Sequence, residues 1–311
     1  MAGFLARILV WLGLLCASAL AQDIPNHSVP IGKGPGVVGF GSTGPCLGAL
    51  AWQGPTSDPA CSTGPSTTGI SLYVATTGSD SNNCTDVAAP CLTISHAIEV
   101  CFIGWQCTIN LAAGTYTTTT GYNIFYHRTV NIVGNCSDHT AVTVNLAGNS
   151  LTLFTVQDFA ISQMGCFTVT TNGTGNTIAV ARQFAIVDFD SVIIASNFTS
   201  GVMLASNNAS MNCGGTVQVT AAIPAFAAWV IASNVGLLTF VCSVTITNAG
   251  STGLFFTASG KSKILATTAT FAGNLGTAGG QCYIADSTLD RPATIPGTAS
   301  TCVPVNGGVI N

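Results

Sequence analysis

Val169, Ile194, Val219, Ile246 and Phe271 follow one another at steps of 25, 25, 27 and 25 residues. Two copies of a second motif, QDFAI at 157–161 and RQFAI at 182–186, also lie 25 residues apart. A fixed period between 20 and 50 residues marks a chain built by stacking one unit on the next. Each period here holds several short strand-like runs and no helix-like run. That selects a parallel β-helix over the helical repeats.

The unit itself can be read. Two apolar residues two apart are followed, three positions on, by asparagine: Val130/Ile132 before Asn135, Val144/Leu146 before Asn149, Phe167/Val169 before Asn172, Val192/Ile194 before Asn197. The arrangement recurs at Val202/Leu204 with Asn207, Trp229/Ile231 with Asn234 and Ala269/Phe271 with Asn274, and Ile109/Leu111 precede Gly114 in the same relation. Alternating apolar residues form one face of a short strand. Asn and Gly best tolerate the left-handed backbone of a sharp corner. The module is a short strand and then a corner.

Stacked modules bury Val, Ile, Leu and Phe in one continuous core, at about 25 cal/mol per Å² of apolar surface. Outward Thr, Ser and Asn pair in rows along the sheets. Such a fold needs few charges. Charged residues make up 6% of the chain, against about 25% in an average globular protein. With only 7 Lys and Arg, the chain cannot neutralise a phosphate backbone, so nucleic acid is not an expected partner.

Residues 1–21, MAGFLARILVWLGLLCASALA, read as a secretory leader: Arg7 supplies the positive start, Ile8 to Leu15 the apolar stretch, and Ala19-Leu20-Ala21 the small-x-small cleavage site. The apolar stretch is short for a membrane span of about 20 residues, and bulky Leu15 argues against a lipid anchor on Cys16. No stable membrane span is expected after cleavage. The destination is the exterior or the cell envelope. Of 13 cysteines, Cys16 leaves with the leader, and an even number remains. Export and even number together point to disulfides. Sequence does not fix the connectivity; pairing in order is the expectation, joining Cys46–Cys61, Cys84–Cys91, Cys101–Cys107, Cys136–Cys166, Cys213–Cys242 and Cys282–Cys302. The fourth and fifth pairs span 30 and 29 residues, about one coil, so they would staple neighbours. There is no CxxC and the 4 histidines are scattered, so neither a metal nor a cofactor is expected.

Residues 22–70 are rich in Gly and Pro, which oppose helix and long strand alike. They read as an extended arm, or as a linker without a partner of its own. Residues 71–105 hold a cysteine-bearing loop and a short helix over Leu92 to Phe102, with Leu92, Ile94, Ile98 and Phe102 largely on one side and Pro90 just upstream. A β-helix has open ends that invite edge pairing, so the expected role of 71–105 is an N-terminal cap. Coils and a closing segment occupy 106–311.

The stretch LYVATTGSDSNNCTDVAAPCLTISHAIE, followed by INLAAGTY, resembles the N-terminal signature of right-handed parallel β-helix proteins. That pectate-lyase-like superfamily includes polysaccharide-cleaving enzymes and the tail-spike or tail-fibre proteins of phages and prophages. The match covers about residues 72–116 in detail and the other coils by period alone. Cys84 and Cys91 stand where such proteins often carry Gly and an aromatic. The resemblance implies the right-handed fold and, for enzymes of the group, a groove with clustered acids along the solenoid.

Such acids are scarce. The one glutamate, Glu99, sits in the capping segment, and no aspartate cluster of the family is reproduced. The best constellation is RQFAIVDFDSV. In a strand Asp188 and Asp190 share one face about 7 Å apart, from a rise of roughly 3.3 Å per residue, with Val187 and Phe189 inward. That separation falls near the range of an inverting glycosidase pair, and Arg182 could approach from an adjacent segment to hold a substrate carboxylate. A solvated outward face, or a weak cation site, explains the same residues. There is no G-x-S-x-G elbow and no phosphate-cradling Gly loop. His96, His127 and His139 stand without a partner in sight. The six Asn-x-Ser/Thr sequons, such as Asn197-Phe198-Thr199, are what a chain this rich in Asn and Thr produces by chance.

The sequence therefore predicts an exported, disulfide-stapled all-β protein, a right-handed parallel β-helix of about 25-residue coils with an N-terminal capping helix. The function expected first is a non-catalytic surface role, adhesin-like or tail-fibre-like, binding a polysaccharide or cell-surface glycan through outward polar rows and the rings of Trp52 or Trp105. Side-by-side trimers fit the low charge. The rival is a polysaccharide lyase or glycoside hydrolase working at Asp188 and Asp190. A leader suits an envelope protein better than a phage tail part assembled inside the cell, which leaves the biological setting open.

Overall fold

A computed structural model describes the backbone of residues 28–32, 38–42, 50–51, 60–61 and 69–311, apart from 197, 221–227, 247–253, 274–281 and 291–301. The expected leader, most of the arm, the Cys46–Cys61 bridge, Trp52, Asn197 and Asn274 lie outside the described residues. Two units are distinguished, Met1–Ser66 and Thr67–Asn311. In the first, Ser28–Gly32 pairs antiparallel with Val38–Ser42, and Leu50–Ala51 with Ala60–Cys61.

The second unit is a parallel β-solenoid of about 7 turns. One coil shows how the chain makes it. The strand Ile161–Thr171 bends at Cys166, whose φ is 65°; Thr177–Ala181 follows; then Gln183 and Phe184, both at positive φ, turn the corner. Ile186 arrives opposite Ile161, 25 residues on, and the strand Ile186–Ile194 repeats the path. The mid-strand bend recurs with Ser191 and Gly215 at positive φ. It divides the long strands into two faces, and an 8-stranded sheet forms the third.

Alternation within each strand decides what is buried. Ile109, Ile132, Met164, Phe189, Cys213 and Phe240 stack as one inward row. On the next face Val144, Val169, Ile194 and Val219 form another, and the register continues to Ile246. Phe271, which the period assigns to this second row, pairs instead with Val244, while Ile246 meets Gly273. That coil is two residues longer, so a count of 25 lands two residues early. Phe154, Phe167, Phe240 and Phe256 are among the largest side chains fully removed from water. Two buried polar side chains are well partnered: Ser162 donates to the Val130 carbonyl at 2.7 Å, and the Asn176 amide donates to the Gly148 carbonyl and the Thr171 hydroxyl.

The asparagine corners need correction. Asn207 and Asn234 have positive φ, but Asn135, Asn149 and Asn172 do not. Asn135 instead accepts with its side chain from the Ser137 and Asp138 amides, and Asn149 from the Thr174 amide one coil on. Left-handed tolerance is one use of asparagine; imitating a backbone acceptor is another. The recurrent left-handed pair falls at Tyr126–His127, Asp158–Phe159, Gln183–Phe184, Asn207–Asn208 and Asn234–Val235.

Among the described residues five disulfides join Cys84–Cys91, Cys101–Cys107, Cys136–Cys166, Cys213–Cys242 and Cys282–Cys302, which is the pairing in order. Bridges in this number belong to an oxidising, extracellular kind of environment. No helix among the described residues is long and apolar enough to cross a membrane. The one α-helix described with residue bounds, Ile94–Val100, is shorter than the predicted Leu92 to Phe102. Thr93 is its N-cap, accepting from the His96 amide, and Cys101 its C-cap. Leu92 and Phe102 therefore fall outside it and are exposed, while Ile94, Ala97 and Ile98 are buried.

Candidate functional site

Asp188 and Asp190 lie on the strand Ile186–Ile194 at half-buried outward positions, alternating with the buried Val187 and Phe189. Register places Asp188 in a row that continues, one residue per coil, through Ser71, Thr108, Asn131, Gln163, Asp188, Asn212 and Thr239. Neighbouring members stand about 4.8 Å apart, the spacing of paired strands. Within the row the Asn212 amide donates to Asp188 Oδ1 at 2.5 Å. Asp190 accepts from the Ser191 hydroxyl at 2.9 Å. Beside it Gly215, at φ 59°, sits so close that a Cβ would overlap the Asp190 carboxylate. Both aspartates are thus held on one face, as the strand pattern requires.

Arg182 is not brought to them. It is exposed at the corner before Phe184, its amide bonded to the Val156 carbonyl. The ion pairs among the described residues are His96–Glu99 at 3.9 Å and Lys263–Asp290 at 3.3 Å. What the Asp188 region presents is therefore amide and carboxylate side by side, a hydrogen-bonding strip rather than an acid flanked by a cation.

A groove of about 310 Å³ lies farther up the stack, lined by Thr76, Thr93, Ser95, Thr115, Thr117 and Tyr116 among others. Its walls mix hydroxyls with apolar Leu92 and Ile94, and no charged side chain lines it. The Tyr116 hydroxyl donates to the Val74 and Ala112 carbonyls, and burial pushes its pKa up to about 12, so it stays a neutral donor. Beside the groove, burial pushes the Asp80 carboxyl up. The bonds it accepts from the Thr93 amide and hydroxyl and the Leu92 amide outweigh this and hold it below its ordinary value.

Cys84, Cys91 and His96 have ligand atoms within 4.8 Å of one another. The two sulfurs are bonded to each other and offer no thiolate to a metal, and His96 Nε2 lies 3.1 Å from the Asn82 carbonyl oxygen. Trp105, expected as a sugar-binding ring, is half-buried and meets Phe102 edge-on at 5.2 Å.

The feature that sequence reading passed over is a ladder of exposed rings. His127 stacks on Phe159 at 5.1 Å, and Phe159 on Phe184 at 5.0 Å, each pair within 4° of parallel. QDFAI and RQFAI carry two of these rings, so the signal was present and served only to measure the period. Comparison of the chain with known protein families, with curated proteins and with solved structures finds no match.

Proposed function

We propose that the chain is an exported, non-catalytic β-helix surface protein, adhesin-like or tail-fibre-like, which binds carbohydrate along its outward polar row. The observation that supports this is the unbroken succession Asn131, Gln163, Asp188, Asn212 and Thr239, one donor or acceptor per coil. A polymer lying along the stack meets the same chemistry at each step, so weak contacts add along its length. In this reading the solenoid is right-handed and related to the pectate-lyase-like group. The helix Ile94–Val100 with its cysteine-pinned loop caps the first coil, and residues 1–21 direct export.

A catalytic reading has one observation in its favour: Asp188 and Asp190 occupy consecutive outward positions of one strand. The test takes both readings at once. The exported protein is incubated with a polysaccharide panel, and retention and released products are scored together by mass spectrometry. Retention without products, lowered several-fold by Gln163→Ala with Asn212→Ala, is the expected result. Oligosaccharide release that Asp188→Asn or Asp190→Asn abolishes would replace it with a lyase or hydrolase.

A further inference from the structure

The left-handed corner is built in two ways along the stack. In the later coils its second position holds Asn208, Lys261 after Gly260, and Gly307. Asn and Gly adopt that backbone at little cost. In the earlier coils the corner carries Tyr126, Phe159 and Phe184, at φ 61°, 62° and 64°, and Val235 stands at φ 66°. Large and β-branched side chains are strained there. They are also in water: Tyr126 is 56% exposed, Phe159 52%, Phe184 53% and Val235 50%. Ile161 and Ile186, two residues after the phenylalanines and paired in register, extend the strip onto the adjoining face and are exposed too. Strain and exposure fall on the same residues, and the fold does not require an aromatic there, because the corners at Asn207–Asn208 and Asn306–Gly307 are turned with Asn and Gly alone.

Ring geometry restricts what can cover the strip. The His127, Phe159 and Phe184 rings face one another at 5.0–5.1 Å, so Phe159 has both faces taken and His127 and Phe184 one each. A pyranose stacks on faces. An anionic membrane needs cations, and the chain carries a net charge of −4. Near the strip Arg128 is turned inward to the Ile98 carbonyl, leaving Arg182 at its margin. A row of edges repeating at the coil pitch is matched by another row of the same pitch.

We propose that this strip is the contact through which two copies of the chain lie side by side, coil against coil. Aromatic side chains bury about 150–250 Å² each, so the half-exposed rings and their aliphatic neighbours offer on the order of 500 Å². That is at the upper end of what a monomer leaves exposed. With the polar positions on either side it approaches the roughly 800 Å² per partner of a standard interface. The proposal stands apart from glycan binding, which uses the row through Gln163 and Asp188.

The experiment is sedimentation equilibrium of the exported protein across micromolar concentrations, beside two double variants. Phe159→Asn with Phe184→Asn places at the strained corners the residue that occupies Asn208. It should keep or raise the melting temperature and raise the dissociation constant at least 100-fold. Ile161→Thr with Ile186→Thr, a substitution suited to an outward strand position such as Thr129, should weaken association about tenfold with the fold intact. Retention on glycan should be unchanged in both. A wild-type chain that stays monomeric throughout overturns the proposal. So does an asparagine variant that associates like wild type, or one whose melting temperature falls, which would give the rings to the fold. Loss of glycan retention with association intact would assign the strip to a ligand instead.

Discussion

The two ends of the solenoid are finished differently. At the N-terminal end the outer edge of Ile70–Val74 has partners: the Tyr73 amide donates to the Cys84 carbonyl, the Cys91 amide to Tyr73, and the Ala75 amide to Cys91. The loop that supplies them is held by the buried Cys84–Cys91 bridge and by Asp80, and the helix beside it buries Ile94, Ala97 and Ile98. At the other end stand the strands Cys302–Val305 and Val309–Ile310. Among the described residues no further strand pairs with their outer edges. Val309 is exposed, and the fastenings nearby are Cys282–Cys302 and the contacts of Asp290 with Lys263 and Asn311. Closing a stack takes hydrogen-bond partners for the edge and an apolar cover for the core. One end has both.

Matched changes at the two ends would break this contrast or sharpen it. The largest difference is expected from Ile94→Ala, which should cost about 2–5 kcal/mol as a buried truncation, against less than about 1 kcal/mol for Ile310→Ala at its half-exposed place. Equal losses on denaturant unfolding would remove the asymmetry. Next comes Cys84→Ala with Cys91→Ala, worth roughly 2–4 kcal/mol. Hydrogen exchange at the Tyr73 and Ala75 amides should accelerate well before that of the middle coils. Asp80→Ala should then cost about 1 kcal/mol, in the manner of a lost helix-end acceptor. Asp290→Ala, an exposed pair, should cost a few tenths.

The smallest effect is the response to acid. Asp80 is held below its ordinary value by the bonds described above. Asp290 is held low chiefly by the Asn311 amide, then by Lys263 against an opposing push from burial. A depressed carboxyl contributes stability that is complete above its unfolded value near 4 and is lost as pH falls through the lower folded value. The gap in melting temperature between wild type and Asp80→Asn should therefore be full at pH 6 and narrow as the pH falls below about 4 toward the folded value. A gap that persists there would mean that the carboxylate charge contributes nothing.

Period and alternation carried most of the fold. Val169, Ile194, Val219 and Ile246 do stack, and Asp188 with Asp190 do share the outward face, because side-chain direction in a strand depends on parity alone. Phe271 shows the limit: one long coil shifts every later count. The helix ends were misplaced because Thr93 caps by a side-chain bond that apolar spacing does not reveal. Arg182 was out of reach because its side chain sits at a corner, where direction depends on two left-handed residues rather than on parity. Phe159 and Phe184 went unrecognised as corner residues since nothing local favours a left-handed phenylalanine. Their stacking across coils does.

The staples also set how the chain answers a pull. Each unbridged coil peeled from the stack would release about 25 residues, or roughly 80–90 Å of contour length. The 29-residue span from Cys213 to Cys242 closes a full turn on itself and yields almost none of its roughly 100 Å. Under tension from the C-terminal side, extension would fall short first between Cys282 and Cys302, then at that turn, and again between Cys136 and Cys166. A stack so stapled lengthens under load in steps set by its bridges.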